Sequence, residues 1–420
     1  MLVVPAYRAF VARSGAEGGT MSIHTPQRIL VAPSGFKESL SAETVAQAIA
    51  AGVRRVIPGV QVDEYPVPDG GEGTAAALAA ATGGELVPVR VTGPVGEPVD
   101  AHWARLGRHA TGTAVVEMAS AAGLRLVPRD RRDPGETTTR GVGELIAAAL
   151  DAGVDRIVVG CGDSGTSDGG AGALEALGAR ILDRDGVPIA AGGRHLREAA
   201  GLDLAGLHPR IGEVEIVLAC NIHNVLCGPR GVARVFGPQK GATAEQVEQL
   251  AEALDVWAGL LEEQGPFGAS MDVRTGGGTG ASGGLGAGLA AVLGARLAPR
   301  FEVLLDSGLL PEPLDELMAV ADLVITAEGA IDFQTPRGKV PAEIAMRARV
   351  AGVPVLGIAG SLGVGAPTVH DIGIDAIASI ITVPMPLEEA VEHGEALLRD
   401  AAERSMRMVL LGSAMSARAA

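Results

Sequence analysis

Five strand-like runs sit at the two ends of this chain, and that division constrains the fold more than any other feature. Two come early, at 29–32 and 62–67, joined by AETVAQAIAAGVRRVI, whose apolar positions recur at helical spacing behind Ser41, a capping residue. Three come late, DLVIT (322–326), PVLGIAG (354–360) and DAIASIIT (375–382), with helical patterns at 341–351 and 387–410. Apolar runs that alternate with helices read as parallel strands covered on both faces. Neither set alone makes a good sheet. Together they predict one α/β domain, a Rossmann-like, doubly wound parallel sheet built from residues 28–67 plus 286–410 and therefore discontinuous in the chain.

Residues 68–285 read differently. LVPVRVTG (86–93), VDAHWARLG (99–107) and TAVVEMAS (113–120) follow one another without helices, and DRIVVG (155–160), VEIVLAC (214–220) and a long helical stretch at 243–264 come later. This predicts a mixed α+β domain inserted into the first, with the active site expected in the cleft between them. Residues 1–27 are expected to be an extension outside the fold, disordered or mis-assigned, with Met21 as the candidate start.

Composition narrows the function. The chain is 47% apolar, yet 420 residues include only two Trp, two Tyr and six Phe, so the core is Ala, Val, Leu and Ile and little is left for base stacking. A net charge of −16 also repels polyanions, which excludes nucleic acid as a partner. Cys161, Cys220 and Cys227 form no disulfide framework or CxxC pair, and no apolar run approaches the ~18 residues of a membrane span. A cytoplasmic protein acting on a small molecule, with no membrane partner, is expected; the sequence is silent on oligomeric state.

Glycine is abundant, 60 residues, and it is concentrated in six polar segments, most of them directly after a predicted strand. They read APSGFKESLSAE (32–43), PVPDGGEGT (66–74), GCGDSGTSDGGAG (160–172), CNIHNVLCGPRGVARVFGPQKGA (220–242), TGGGTGASGGLGAG (275–288) and ITAEGAIDFQTPRGKVP (325–341). Among 34 basic residues only Lys37, Lys240 and Lys339 are lysine, and each lies in one of these segments. Backbone N–H groups bared by glycine, hydroxyls, carboxylates and a compact ammonium are the parts of a phosphate and metal site. Asp69, Glu72, Asp163, Asp168, Glu328 and Asp332 all occur there, and two or three of them are expected to face Mg²⁺.

Other chemistries fit less well. Gly338-Lys339 is followed by Val340 and lacks the earlier glycine of a P-loop, and no GxSxG elbow is present. Gly160, Gly162 and Gly165 match GxGxxG after a strand, with Asp183 and Asp185 beyond, so an NAD-linked oxidoreductase remains a rival reading. Asp163 and Asp168 within that turn oppose it, because they would repel a pyrophosphate.

In order from about residue 28 to 400, the segments APSGFKESLSA, PVPDGGEGT, VTGPVG (91–96), GDSGTSDGGAGAL, NVLCGPRG with FGPQKGA, SGGLGAGLA and ITAEGAIDFQTPRGKVP resemble the bacterial glycerate kinase family, which makes 2-phosphoglycerate. The resemblance implies a two-domain fold, ATP and Mg²⁺. It marks Lys37, Asp69, Asp168 and Lys240 as catalytic, with Asp69, Glu72 and Asp168 as candidate metal ligands. For nucleotide or substrate binding it marks Ser34, Gly70, Gly71, Glu72, Ser164, Thr166, Asn224, Gln239, Gly283, Gly284, Glu328, Asp332 and Lys339. Departures from the family pattern are Ser34, Gly35 and Glu38 in the first motif, an added Asp163, and Asn221 and Ala330 where an acid and an arginine are usual. The expected reaction is ATP-dependent phosphorylation of the 2-hydroxyl of glycerate. A kinase of a related hydroxy acid and a non-catalytic nucleotide-binding regulator compete with it, beside the oxidoreductase.

Overall fold

The structure is a computed structural model that describes residues 25–36 and 39–419, with side chains as far as residue 416. The first 24 residues of the expected extension, with Met21, lie outside the described residues, and so do Lys37 and Glu38. The chain divides into two compact units, with boundaries after Val67 and after Pro313, and each is described by itself.

The first unit opens with β1 (Arg28–Val31), in which Ile29, Leu30 and Val31 are buried, followed by α1 (Ala42–Val56) and β2 (Gln61–Glu64), which pairs parallel with β1. Ser41 caps α1 as predicted, its hydroxyl accepting the Thr44 N–H at 3.2 Å. Glu43 in the first turn and Arg54 and Arg55 in the last complement the helix dipole.

The second unit then runs through α2 (Thr74–Thr82), β3 (Glu85–Thr92), β4 (Pro98–Arg105), β5 (Thr113–Glu117), α3 (Arg140–Asp151), β6 (Arg156–Gly160), β7 (Arg180–Leu182), β8 (Gly201–Asp203), β9 (Glu215–Cys220), α4 (Ala244–Gln264), α5 (Ala281–Leu293) and β10 (Arg296–Pro299). Its main sheet has the order β10-β9-β6-β5-β4-β3, with the first four strands parallel and β4 and β3 added antiparallel. Strand alternation divides the core: Ile157, Val159 and Leu218 pack with Ile146 and Trp257 on one face, whereas Val158 and Val217 pack with Leu78 and Leu304 on the other.

Residues 286–313, which the sequence places in the first unit, belong to the second. β10 pairs in parallel register with β9, Arg296 opposite Val217, and Leu304 and Leu309 fill the core beneath it. RLAP is too short and too mixed to announce itself as a strand. The predicted strand 113–120 is also shorter than expected: it gives way at Met118 to a one-turn helix, which leaves Glu117 as its last residue.

The chain returns to the first unit with β11 (Leu323–Ile331), α6 (Val340–Ala351), β12 (Val355–Leu362), β13 (Ala376–Ser379) and α7 (Gly394–Ala419). The sheet order is β13-β12-β11-β1-β2, parallel throughout, so the predicted discontinuous, doubly wound α/β sheet is present. Strand order reverses between β1 and β11, and ligands of such sheets bind beyond the carboxyl ends of the strands at that reversal. Ala327–Ile331, read from the sequence as loop, continues β11 because it pairs with β12 as far as Leu362. Among the described residues, no helix is long and apolar enough to cross a membrane.

α1 and α7 pack at a glycine. A β-carbon at Gly52 would stand 2.2 Å from the Arg399 carbonyl oxygen and 2.8 Å from the Ala402 β-carbon. Gly52→Ala is therefore expected to cost about 1–3 kcal/mol by forcing the helices apart. Thermal denaturation measures it, and an unchanged midpoint would mean that the helices re-space freely.

Candidate active site

The loop Asp69–Thr74 leads into α2, with Gly70 and Gly73 at φ 81° and 91°, backbone that favours glycine. Its N–H groups have specific acceptors. Gly70 donates to Thr74 Oγ1 (3.0 Å), Gly71 to Asp69 Oδ1 (2.9 Å), Glu72 to Asp163 Oδ2 (3.3 Å) and Ala75 to Glu117 Oε1 (2.5 Å). These donors already face carboxylates and a hydroxyl. The Glu72 carboxylate pairs with the half-exposed Arg125 at 3.1 Å, and Arg300 donates to the Asp69 carbonyl at 3.2 Å.

The 160–172 loop lies directly against this one. Gly162 donates to the Gly70 carbonyl at 2.8 Å, and a β-carbon at Gly162 would stand 2.4 Å from the Gly71 α-carbon. Gly160 and Gly165 are likewise crowded, by the Gly70 and Gly123 carbonyl oxygens. These glycines let backbones pack on each other rather than on a cofactor. The helix that follows covers only Ala171–Ala176, so the dinucleotide-binding turn is not formed.

Asp168 anchors the loop. Only 1% exposed, it accepts the Thr139 N–H (2.7 Å) and hydroxyl (2.9 Å) and the N–H groups of Gly170 and Gly172 (both 3.2 Å). Burial raises its pKa even against those four donors. A carboxylate so occupied ties the loop to the start of α3, and its proposed service as a metal ligand gains no support from this geometry.

Lys240 is the cation of the same neighbourhood. It is 5% exposed and donates to Ser164 Oγ at 2.9 Å and to the Thr166 carbonyl at 2.5 Å. Burial depresses its pKa from 10.5 to about 7, partly offset by the Asp168 charge. Thr166 Oγ1 and Ser167 Oγ are buried beside these contacts with no hydrogen-bond partner among the described residues. Ser282, Gly283 and Gly284 form a left-handed stretch inside α5, and a β-carbon at Gly283 would stand 2.0 Å from the Thr166 carbonyl oxygen. Asn224 joins the neighbouring loops through its carbonyl, which accepts from Gly278 and Gly280 at 3.1 Å each, while Gln239 is exposed on the turn before Lys240.

In the first unit, the strand-order reversal carries a second cluster. Ser34, just beyond β1, donates from N–H and hydroxyl to the Ala327 carbonyl at 2.9 and 3.1 Å. Glu328 follows on β11; it accepts the Thr335 hydroxyl and lies 3.3 Å from Lys339 Nζ, which is also 3.6 Å from Asp332. Burial raises the Glu328 pKa, outweighing Thr335 and Lys339. Lys339 itself stands at the N-cap of α6.

Sequence reasoning missed Glu117. Burial pushes its pKa up to about 7, against the N–H groups of Ala75 and Gly73, with Glu72 and Asp69 adding to the rise. The signal was there: a single acid between Ala114-Val115-Val116 and Met118-Ala119, an apolar setting in which Glu is seldom buried. Thr139 and Arg125 were also passed over, and nothing in their local sequence marks them.

The glycerate kinase family model matches residues 29–410. This chain belongs to the glycerate kinase family. A Bacillus subtilis (strain 168) protein named glycerate kinase is 44% identical over 366 residues, 87% of this chain and 93% of that protein. A glycerate 2-kinase of Escherichia coli (strain K12) is 44% identical over 363 residues, 86% of this chain and 93% of that protein. The crystal structure of a Salmonella typhimurium LT2 protein assigned as glycerate kinase 2 superposes with a TM-score of 0.73 at 43% identity, covering 92% of this chain and 99% of that one. Membership of the glycerate kinase family and the packing of Gly160, Gly162 and Gly165 together argue against hydride transfer.

Proposed function

We propose that this chain transfers the γ-phosphoryl group of ATP to the 2-hydroxyl of glycerate, giving 2-phosphoglycerate and ADP. The observation that carries this reading is Lys240, a buried ammonium held against Ser164 and Thr166 in a member of the glycerate kinase family. In the reaction a bond forms between the C2 oxygen and the γ-phosphorus, the bond to the β,γ-bridging oxygen breaks, and the hydroxyl proton passes to a carboxylate. Such a transfer needs positioned reactants and neutralised phosphate charge more than covalent help from the protein. Lys240 and Lys339, with Lys37, are assigned to the phosphates or the glycerate carboxylate.

Mg²⁺ is held through one or two carboxylates, phosphate oxygens and water, so it does not need a closed cage of protein ligands. Among the described residues no group of three or more His, Cys, Asp or Glu side chains is arranged to hold a metal ion, so we assign Mg²⁺ to Asp69 and Glu72, carboxylates of one short loop, with phosphate and water completing its shell. Bound there, it would supply charge neutralisation on the phosphates. Glu328 and Asp332, the acids beside Lys339, are also assigned to the reaction. The three free thiols suit a reducing compartment, and we place the reaction in the cytoplasm.

Pure protein incubated with ATP, Mg²⁺ and D-glycerate should release ADP and give a ³¹P resonance coupled to the C2 proton. Coupling to the C3 protons would overturn the regiochemistry, and no turnover with glycerate or related hydroxy acids would overturn the assignment.

A further inference from the structure

Glu117 ends β5 with its side chain 2% exposed, in a wall that includes Ala75, Leu78 and Val115. Its carboxylate faces the first turn of α2, accepting the Ala75 N–H at 2.5 Å. A helix start leaves such N–H groups without intrahelical partners, and a serine or threonine at the N-cap satisfies them without burying a charge. Here the N-cap is Gly73, which has no side chain, and a glutamate from a strand 42 residues away in sequence takes the work. Burying a carboxylate is costly, so its presence points to something that an ordinary cap would not achieve.

That something is the loop before the helix. Gly70 and Gly73 are both left-handed and Gly71 has no side chain, so the loop is free to take many conformations unless its N–H groups are held. The acceptors that hold it are Asp69 and Thr74 of the loop itself, Asp163 of the 160–172 loop, and Glu117. Among the described residues, Glu117 is the acceptor that reaches it from the sheet, and it does so at Ala75, directly after the loop.

We propose that Glu117 is a positioning residue for phosphoryl transfer, which fixes the Asp69–Thr74 loop from within the sheet and so places the Asp69 and Glu72 carboxylates for the reaction. This rests on the reading above that the loop serves the kinase reaction. Glu117→Gln keeps the volume and an acceptor for the Ala75 N–H but removes the carboxylate charge, which loosens the hold on the loop; Glu117→Asp keeps the charge but shortens its reach by a methylene.

The test compares both variants with Asp69→Asn, using ATP and glycerate kinetics beside thermal denaturation. Glu117→Gln is expected to melt at or above the wild-type temperature, because a buried charge is gone, while kcat falls on the order of 10²-fold and KM for ATP stays close to wild type. Glu117→Asp is expected to lose about tenfold in kcat, and it decides the matter if the glutamine variant does not fold. A folded Glu117→Gln or Glu117→Asp with wild-type kcat, beside an inactive Asp69→Asn, would overturn the positioning role alone. Full activity in Asp69→Asn would instead overturn the reading that places this loop in the reaction.

Discussion

Replacing Lys240 by Met is expected to lower turnover on the order of 10²–10³-fold while the protein stays folded. An ammonium has three donors, and two are committed to Ser164 Oγ and the Thr166 carbonyl, which leaves one for an oxygen of nucleotide or substrate. In a site this buried, a positive charge on the transferring group is worth far more than in water. Stability should survive because the methionine also removes a charge that burial has made costly.

The pH dependence gives a separate check. With its folded pKa lowered to about 7 from 10.5, Lys240 contributes stability that is present above 10.5 and lost as pH falls from there to about 7. The variant has no such dependence, so relative to wild type it should gain stability between pH 10 and pH 7. Urea midpoints at the two values measure this. A variant with wild-type kcat, or one whose stability difference does not change with pH, would remove Lys240 from the role given to it.

Asp168→Ala should lose about 3–5 kcal/mol of stability, enough to unfold a marginal protein. The alanine would strand the Thr139 hydroxyl and the N–H groups of Thr139, Gly170 and Gly172 in a region closed to water. Asp168→Asn should be milder, since an amide oxygen can still accept from Thr139. Denaturant unfolding with an unchanged m-value would read the loss as stability rather than altered compactness. A loss below about 1 kcal/mol would mean that the loop finds other partners, and the Asp168 carboxylate would then be free to meet a metal.

The division of the first unit was legible because β1, β11, β12 and β13 are largely apolar runs beside helical patterns, and that local signal survives the insertion of a whole second unit. The end of the insertion was not legible. β10 is four residues of mixed polarity, and it is a strand only because β9 is there to pair with it.

The same contrast runs through the site. Composition and motif order determined the family, the six glycine-rich segments and the set of lysines and acids within them, since those properties need only residue type and spacing. The roles of the acids were decided by tertiary structure. Asp168 is a loop anchor because Thr139, 29 residues away, points two donors at it, whereas Glu72 keeps its carboxylate toward Arg125 near solvent. Glycines that look alike in sequence also part company: Gly162 and Gly283 admit a neighbouring backbone, whereas Gly73 turns the chain into α2. Burial and donor direction depend on segments far apart in the chain meeting one another, and no local pattern of residues encodes that meeting.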